Sequence, residues 1–255
     1  MADLQRLAIA PSQLHKGQVG LTREQQHYLT RVLRLGEGDR FIAMDGDRWW
    51  LAILEVDRSN SNKLIASLTE ELRVKNELPV PVTLAVALPK KGLDEIARYA
   101  CELGVTGIIP IISARTLLKP SPQKLERWRR IVTEAAEQSE RQTVPTILEP
   151  ESFTKMLSNV KSEDSFFDRK YICVARKDAP HLLDLLGAKK INETEFFSII
   201  IATGPEGGWG EFEVEEAIAS GFQPVSLGRR ILRAVTAPVV ALSLVAGALE
   251  AKAIE

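Results

Sequence analysis

The sequence predicts an α/β protein in which a parallel sheet follows a small β-rich domain. Residues 1 to about 75 contain short strands and turns, whereas residues 82–251 alternate apolar runs with helical patterns. A segment with two prolines, Pro79 and Pro81, separates the two patterns and cannot form regular structure. Alternating strands and helices build a parallel sheet covered on both faces. We therefore expect domains at residues 1–75 and 82–255.

The first domain is predicted from a hairpin and a short helix. Two apolar segments flank Asp45-Gly46-Asp47, a pattern typical of a tight turn between strands. Thr22 and Gln25 form a plausible capping box at the start of the helix. A sheet with this small number of strands buries enough surface only if it closes on itself. We therefore expect a small barrel.

The second domain is predicted from strands and helices that follow each other regularly. Apolar residues recur at helical spacing from Leu93 to Leu103 and from Leu125 to Ala135. The last helix, at residues 238–251, is apolar nearly all round and must therefore be buried, either in its own domain or against a second subunit. The apolar runs that read as strands are residues 82–88, 107–112, 171–175, 198–202 and 225–227.

Two glycine-bearing loops each leave a predicted strand and enter a helix, the place where open α/β sheets bind ligands. The first is residues 204–208 and the second begins at Ser226. Glycine lets a ligand approach the main chain closely. Glu206 repels phosphate, and the first loop lacks the lysine of a P-loop, so an adenosine-type ligand that is neutral or cationic fits better. A plain strand-to-helix turn is the alternative for this loop considered alone.

Charge and composition limit the partners. The chain has 33 basic and 34 acidic residues and a net charge of −1, whereas proteins that bind naked nucleic acid are usually basic. Any RNA contact must then be a local patch, or the partner must be a ribonucleoprotein particle. No apolar run approaches the roughly 20 residues that span a bilayer, and the N-terminus lacks the apolar core of a signal peptide.

The cysteines and histidines indicate neither disulfides nor metal. Cys101 and Cys173 lie far apart in apolar segments, which favours buried free thiols in a cytosolic protein. The three histidines are not close to a cysteine pair, so we expect no zinc site.

The loops also resemble a known family. The sequences Ile201-Ala202-Thr203-Gly204-Pro205-Glu206-Gly207-Gly208 and Ser226-Leu227-Gly228-Arg229-Arg230-Ile231-Leu232-Arg233, with Thr236-Ala237, are similar to those of the RsmE family. Its members are SPOUT-superfamily methyltransferases that methylate N3 of a uridine in 16S ribosomal RNA. The resemblance covers most of residues 82–251 and extends weakly to the first domain through His27 and residues 32–34.

The resemblance implies a PUA-like RNA-binding barrel followed by a SPOUT domain with a C-terminal trefoil knot. It also implies that S-adenosylmethionine is the cofactor and that the protein is a cytoplasmic homodimer, which acts on 16S rRNA or the small ribosomal subunit. We expect Arg233 to stabilise negative charge on the uracil and Glu206 to orient the cofactor. The expected cofactor contacts are Thr203, Gly204, Pro205, Glu206, Gly207, Gly208, Ser226, Leu227, Gly228, Ile231, Leu232, Arg233, Thr236 and Ala237. The expected RNA contacts are Arg31, Arg34, Lys90, Arg115 and Arg141.

One departure keeps other functions open. The family usually has Thr-Glu where this chain has Ala234-Val235, so a hydroxyl and a carboxylate are missing. The alternatives are a SPOUT methyltransferase that acts on another RNA position or on a ribose 2′-hydroxyl, and a non-catalytic ribosome-assembly protein that binds RNA. The Ala234-Val235 departure favours the last of these.

Overall fold

The contacts in a computed structural model divide the chain into two units. The model describes residues 4–46, 48–58, 63–117, 120–161, 167–188 and 197–251. The first unit contains residues 1–77 and 136–144, and the second contains residues 78–135 and 145–255. Residues 136–144, which the sequence analysis assigned to the second domain, therefore pack with the first unit.

The described part of residues 1–77 forms a six-stranded sheet and a short helix. The strands follow the order β1-β4-β5-β6-β3-β2, and only β1 and β4 pair in parallel. A 3-10 turn and a π-helical turn lie at Pro11–Gln13 and Tyr28–Val32. The elements are β1 Arg6–Ala8, β2 Leu14–His15, β3 Gln18–Gly20, α1 Arg23–His27, β4 Arg40–Met44, β5 Trp49–Asp57 and β6 Lys63–Leu72.

Side chains, rather than a strand ladder, connect the two ends of this sheet. Gln25 Nε2 donates to the carbonyl of Ala8 in β1 (2.9 Å), and its Oε1 accepts from Gln13 Nε2 (2.7 Å) beside β2. Gln25 also forms the predicted capping box, since its Oε1 accepts from Thr22 N while its own N–H donates to Thr22 Oγ1. Among the described strands, backbone pairing runs from β1 to β2 and does not close the predicted barrel. Of the predicted hairpin turn, Asp47 lies outside the described residues.

The second unit is built on a parallel sheet. The strands follow the order β10-β8-β7-β12-β11-β13, with β9 beside β8, and every pair is parallel, as predicted. The elements are β7 Val82–Ala87, α2 Leu93–Glu102, β8 Gly107–Ile112, α3 Pro122–Gln138, β9 Thr146–Ile147, β10 Glu151–Ser152, α4 Phe153–Lys161, β11 Arg169–Cys173, α5 Leu182–Ala188, β12 Ile199–Thr203, α6 Glu211–Ala219, β13 Gln223–Val225 and α7 Thr236–Glu250.

The central strand β12 is buried along its whole length because helices cover both of its faces. Ile200 and Ala202 belong to a core cluster with residues of α4 and α6. Ile199 and Ile201 point to the opposite face, since side chains alternate along a strand. On that side α7 packs against β12 and also contacts α2 and α5. Burial of α7 within its own unit accounts for its core positions Ala241, Leu242, Val245 and Leu249.

No helix of the described residues is long and apolar enough to cross a membrane. Cys101 and Cys173 are buried thiols that form no disulfide, as predicted. Within the described ranges, no group of three or more histidine, cysteine, aspartate or glutamate side chains is placed to hold a metal ion.

The thiol of Cys173 predicts a stability loss at alkaline pH. Burial raises its pKa from 9.0 to about 12, so the folded protein keeps the proton that the unfolded chain releases above pH 9. The free energy of unfolding therefore falls as pH rises between 9 and 12, by about 1 kcal/mol at pH 10 from this group. Urea unfolding at pH 8 and pH 10 measures the loss, and Cys173→Ala should show a smaller one. An equal loss in both proteins would contradict the assignment.

Candidate active site

The first glycine loop, residues 204–208, begins where β12 ends at the buried Thr203. The Gly208 N–H donates to the carbonyl of Pro205 (2.8 Å), and Gly208 has a φ of +69° that favours glycine. A Cβ on Gly204 would lie 3.2 Å from the indole Nε1 of Trp209, so glycine lets this ring pack against the loop. Trp209 in turn stacks on Phe153 of α4, with ring centroids 4.6 Å apart. The loop therefore rests on the core of the second unit.

Residues after β8 hold this loop from outside. Glu213 in α6 is only 7% exposed, and its two carboxylate oxygens accept from the N–H groups of Ala114 and Gly210, each at 2.8 Å. Arg115 donates from Nη1 to the carbonyl of Gly207. The exposed Arg115, which was expected to contact RNA, thus also supports the glycine loop. Sequence reasoning missed Glu213, although its position three residues after Gly210 is the spacing of a capping box.

Glu206 joins the loops that follow two neighbouring strands. Its Oε1 accepts from the backbone N–H of Lys90 (2.9 Å), in the loop after β7. Strands β7 and β12 are directly paired, so their carboxyl ends lie side by side. The exposed carboxylate of Glu206 therefore fixes the backbone at Lys90 and places negative charge at this edge of the sheet.

The second glycine loop begins with Ser226, directly after β13. Ser226 Oγ accepts from the Gly228 N–H (3.1 Å), and Gly228 has a φ of +110°. The backbone of Ser226 forms a parallel bridge with His181: its N–H donates to the carbonyl of Pro180, and its carbonyl accepts from Leu182 N. The base of the loop is thereby tied to the start of α5.

The end of the second loop forms the first turn of α7. The carbonyl of Arg233 accepts from the N–H groups of Thr236 and Ala237, both at 2.9 Å, while its side chain is exposed. Ala234 is buried, and Val235 packs so closely on Gly92 that a Cβ on that glycine would lie 2.6 Å from Val235 Cγ2. The departure from the family pattern is thus an apolar contact between this loop and the one after β7.

Both glycine loops lie at the carboxyl edge of the parallel sheet, but strand β11 separates β12 from β13. Strands two places apart are about 10 Å apart. A ligand that contacts both loops must therefore extend past the end of β11.

The geometry fits an adenosine-type cofactor. Apart from the adjoining residues, no heavy atom of the described part of the chain lies within 4 Å of where a Cβ would stand on Gly208 or Gly228, so backbone faces open space at both loops. Thr203 Oγ1 and Trp209 Nε1 have no hydrogen-bond partner within the described part of the chain, which is uncommon for buried polar atoms. The carboxylate of Glu206 suits a cationic group rather than a phosphate.

The basic residues predicted to bind RNA fall into two groups. Arg31 and Arg34 are exposed in the first unit, at and just after its π-helical turn, and Arg34 has a φ of +60°. Lys90 and Arg115 are exposed in the second unit, beside the first glycine loop. These four side chains are accessible to a polyanion.

Arg141 has a different role from the predicted one. It is only 2% exposed and lies three residues beyond the end of α3 at Gln138. Its guanidinium donates to both carboxylate oxygens of Glu77, and Oε1 of Glu77 also accepts from the backbone N–H groups of Gln142 and Thr143. The carbonyl of Arg141 accepts from Trp49 Nε1 (3.2 Å). An arginine enclosed in this way cannot reach a phosphate, and it instead fastens residues 136–144 to the first unit.

Comparison with known families identifies the class of protein. Residues 76–246 match an RNA methyltransferase domain, and residues 21–62 match an RNA methyltransferase PUA domain. Together with the parallel sheet and its two glycine loops, these matches define an RNA methyltransferase with an N-terminal PUA domain.

Individual relatives specify the family. The chain is 49% identical to Ribosomal RNA small subunit methyltransferase E of a Synechocystis species, over 96% of this chain and 78% of the relative. It is 33% identical to the Bacillus subtilis protein of the same name, over 88% of each. The crystal structure of the Neisseria gonorrhoeae protein of that name, bound to S-adenosyl methionine, matches with a TM-score of 0.78 and 31% identity, over 94% of this chain and 96% of that one. The chain belongs to the ribosomal RNA small subunit methyltransferase E family, the RsmE family that its loops resemble.

Proposed function

We propose that this protein transfers a methyl group from S-adenosylmethionine to N3 of a uridine in 16S ribosomal RNA. The observation that carries the proposal is the pair of glycine loops at the carboxyl edge of the parallel sheet, in a chain that belongs to the RsmE family. The Neisseria gonorrhoeae relative binds S-adenosyl methionine, and the open backbone at Gly208 and Gly228 fits the same cofactor here.

The two loops would hold the cofactor mainly through their backbone. Groups of Leu227, Gly228, Ile231 and Leu232 bind the adenine and ribose, since peptide N–H and C=O groups match the polar edges of both. The carboxylate of Glu206 favours the positive sulfonium. When bound, S-adenosylmethionine would supply a sulfonium-bound methyl group that a nucleophile attacks, with the thioether S-adenosylhomocysteine as the leaving group. The remaining contacts come from Thr203, Gly204, Pro205, Gly207, Gly208, Ser226, Arg233, Thr236 and Ala237.

Arg233 would activate the uracil. N3 attacks well only after the imide N–H gives its proton to a base or to water, which leaves negative charge on the ring oxygens. The exposed guanidinium of Arg233, at the turn that starts α7, offers donors and positive charge to those oxygens. Alignment of N3, methyl and sulfur supplies much of the remaining rate enhancement. The target base must be unpaired or leave its helix to reach the loops.

The partners follow from the exposed surfaces. Arg31, Arg34, Lys90 and Arg115 would contact the RNA of the small ribosomal subunit. The half-buried apolar residues of α7, such as Val239 and Leu244, would pack against a second copy to form a homodimer.

We further propose that the C-terminal segment forms the trefoil knot of the SPOUT fold. Residues 1–75 would act as the RNA-binding domain and residues 82–255 as the catalytic domain, and the enzyme would work in the cytoplasm.

Mapping modified nucleotides tests this function. Small-subunit rRNA from cells with and without the gene is digested and analysed by mass spectrometry. We expect one 3-methyluridine that disappears with the gene and returns with the purified protein and S-adenosylmethionine. A 2′-O-methyl nucleotide, or a base methylated elsewhere, would replace the uridine-N3 assignment with another RNA methyltransferase activity. Unchanged rRNA together with no binding of S-adenosylmethionine would favour the non-catalytic assembly protein that the apolar Val235 contact makes conceivable.

A further inference from the structure

A cleft of about 570 Å³ lies between the loop after β7 and the first turns of α3. Four cations line it, against two carboxylates. The chain as a whole carries a net charge of −1, so this surplus of positive charge is local. The charged lining residues are Lys90, Lys91, Lys124, Arg127, Asp94 and Glu95.

One of the two carboxylates is already neutralised inside the cleft. Asp94 Oδ2 accepts from Arg127 Nε (2.8 Å) and lies 2.7 Å from its Nη2, while Asp94 Oδ1 accepts from Trp128 Nε1 (3.0 Å). These bonds fix the Arg127 guanidinium along the cleft wall. Within the residues that the structure describes, Lys91 and Lys124 form no ion pair, so their charges remain available to a ligand.

The cleft adjoins the first glycine loop. Lys90, on its rim, donates its backbone N–H to Glu206 of that loop. Gly92, which begins α2 without a side-chain cap, packs against Val235 at the end of the second loop. Both loops thus contact the segment that forms the cleft wall, and a chain bound in the cleft would lie next to the cofactor site.

We propose that this cleft binds the ribose–phosphate backbone of the RNA strand beside the target nucleotide, with Lys91 and Lys124 contacting phosphates. The proposal rests on the proposed function and adds the residues that position the strand. A polyanion is the occupant favoured by two unpaired lysines and a fixed arginine. The cleft does not have to recognise the RNA sequence. Its phosphate contacts set the register and orientation of the strand, while the two glycine loops select the target base.

The test removes two positive charges from the cleft and compares the result with the removal of two positive charges outside it. The cleft variant is Lys91→Gln/Lys124→Gln. The control is Arg129→Gln/Arg130→Gln, whose two arginines lie on α3, as Lys124 does, but outside the cleft lining. Binding of purified, unmethylated small ribosomal subunits is measured by co-sedimentation at several salt concentrations. We expect the cleft variant to bind at least tenfold more weakly. The slope of log K against log salt concentration should be less steep by about 0.7–0.9 for each lysine removed. Calorimetry should give a Kd for S-adenosylmethionine within twofold of the wild-type value, and Lys91→Arg/Lys124→Arg should bind subunits normally.

Two results would overturn the proposal. One is a cleft variant whose subunit binding and salt dependence match those of the Arg129/Arg130 variant. The other is a large loss of S-adenosylmethionine affinity, which would assign the cleft to the cofactor instead. Because the assay measures binding without turnover, it separates this proposal from the catalytic one. A wild-type protein that binds subunits through these lysines but transfers no methyl group would refute only the proposed function.

Discussion

Replacing Arg233 with alanine is expected to lower kcat for methyl transfer about 10²–10³-fold, the loss typical of removing one donor that stabilises a developing negative charge. The Kd for S-adenosylmethionine should change less than about twofold, because alanine keeps the carbonyl that accepts from Thr236 and Ala237 and the loop keeps its shape. Single-turnover assays with saturating small subunits measure the chemical step, and calorimetry measures the cofactor affinity.

Arg230→Ala is the matched control for this experiment. Arg230 lies in the same loop, is also exposed and carries the same charge, so its loss reports the general effect of charge on RNA binding. Arg233→Lys should fall between wild type and Arg233→Ala, since lysine keeps the charge but not the forked donors. A kcat for Arg233→Ala equal to that of Arg230→Ala would remove Arg233 from the mechanism.

Arg141→Ala is expected to lower the free energy of unfolding by about 3–5 kcal/mol, the usual cost of breaking a buried ion pair by removing one partner. The reason is that Glu77 would keep a carboxylate that is 22% exposed and has lost its guanidinium. Alanine keeps the carbonyl that accepts from Trp49 and leaves the N–H groups of Gln142 and Thr143 on Glu77, so the loss comes from the guanidinium alone. Urea unfolding, followed by tryptophan fluorescence because Trp49 lies at the site, measures the change.

Arg130→Ala provides the contrast, because Arg130 is 71% exposed and its ion pair with Glu134 is 3.7 Å long. Surface pairs of this kind contribute at most about 1 kcal/mol. A loss for Arg141→Ala as small as that for Arg130→Ala would show that the Glu77–Arg141 pair does not hold the first unit together.

Local patterns predicted much of this fold. The alternation of apolar runs and helical spacing predicted the parallel sheet of the second unit, and Thr22 with Gln25 predicted a capping box that the structure confirms. The glycine loops were placed correctly at strand ends because glycine and proline mark the points where the chain leaves a strand. Each of these features depends on residues close together in the sequence.

The features that could not be predicted depend on residues far apart. Arg141 was expected to contact RNA, because no local pattern pairs it with a carboxylate 64 positions earlier. The position of β11 between β12 and β13 could not be predicted either, because the spacing of apolar residues does not determine the order of strands in a sheet. Ala114 meets Glu213 across 99 positions, so its part in supporting the first glycine loop has no sequence signal either.

The pairing of Glu77 with Arg141 has a consequence for biosynthesis. At translation rates of about 5–20 residues per second, the 64 residues from Leu78 to Arg141 take roughly 3–13 s to polymerise. During that interval the nascent N-terminal unit has emerged without the segment that neutralises its last carboxylate. The N-terminal unit can therefore complete its packing only after much of the following unit has been translated. The two units do not fold strictly one after the other.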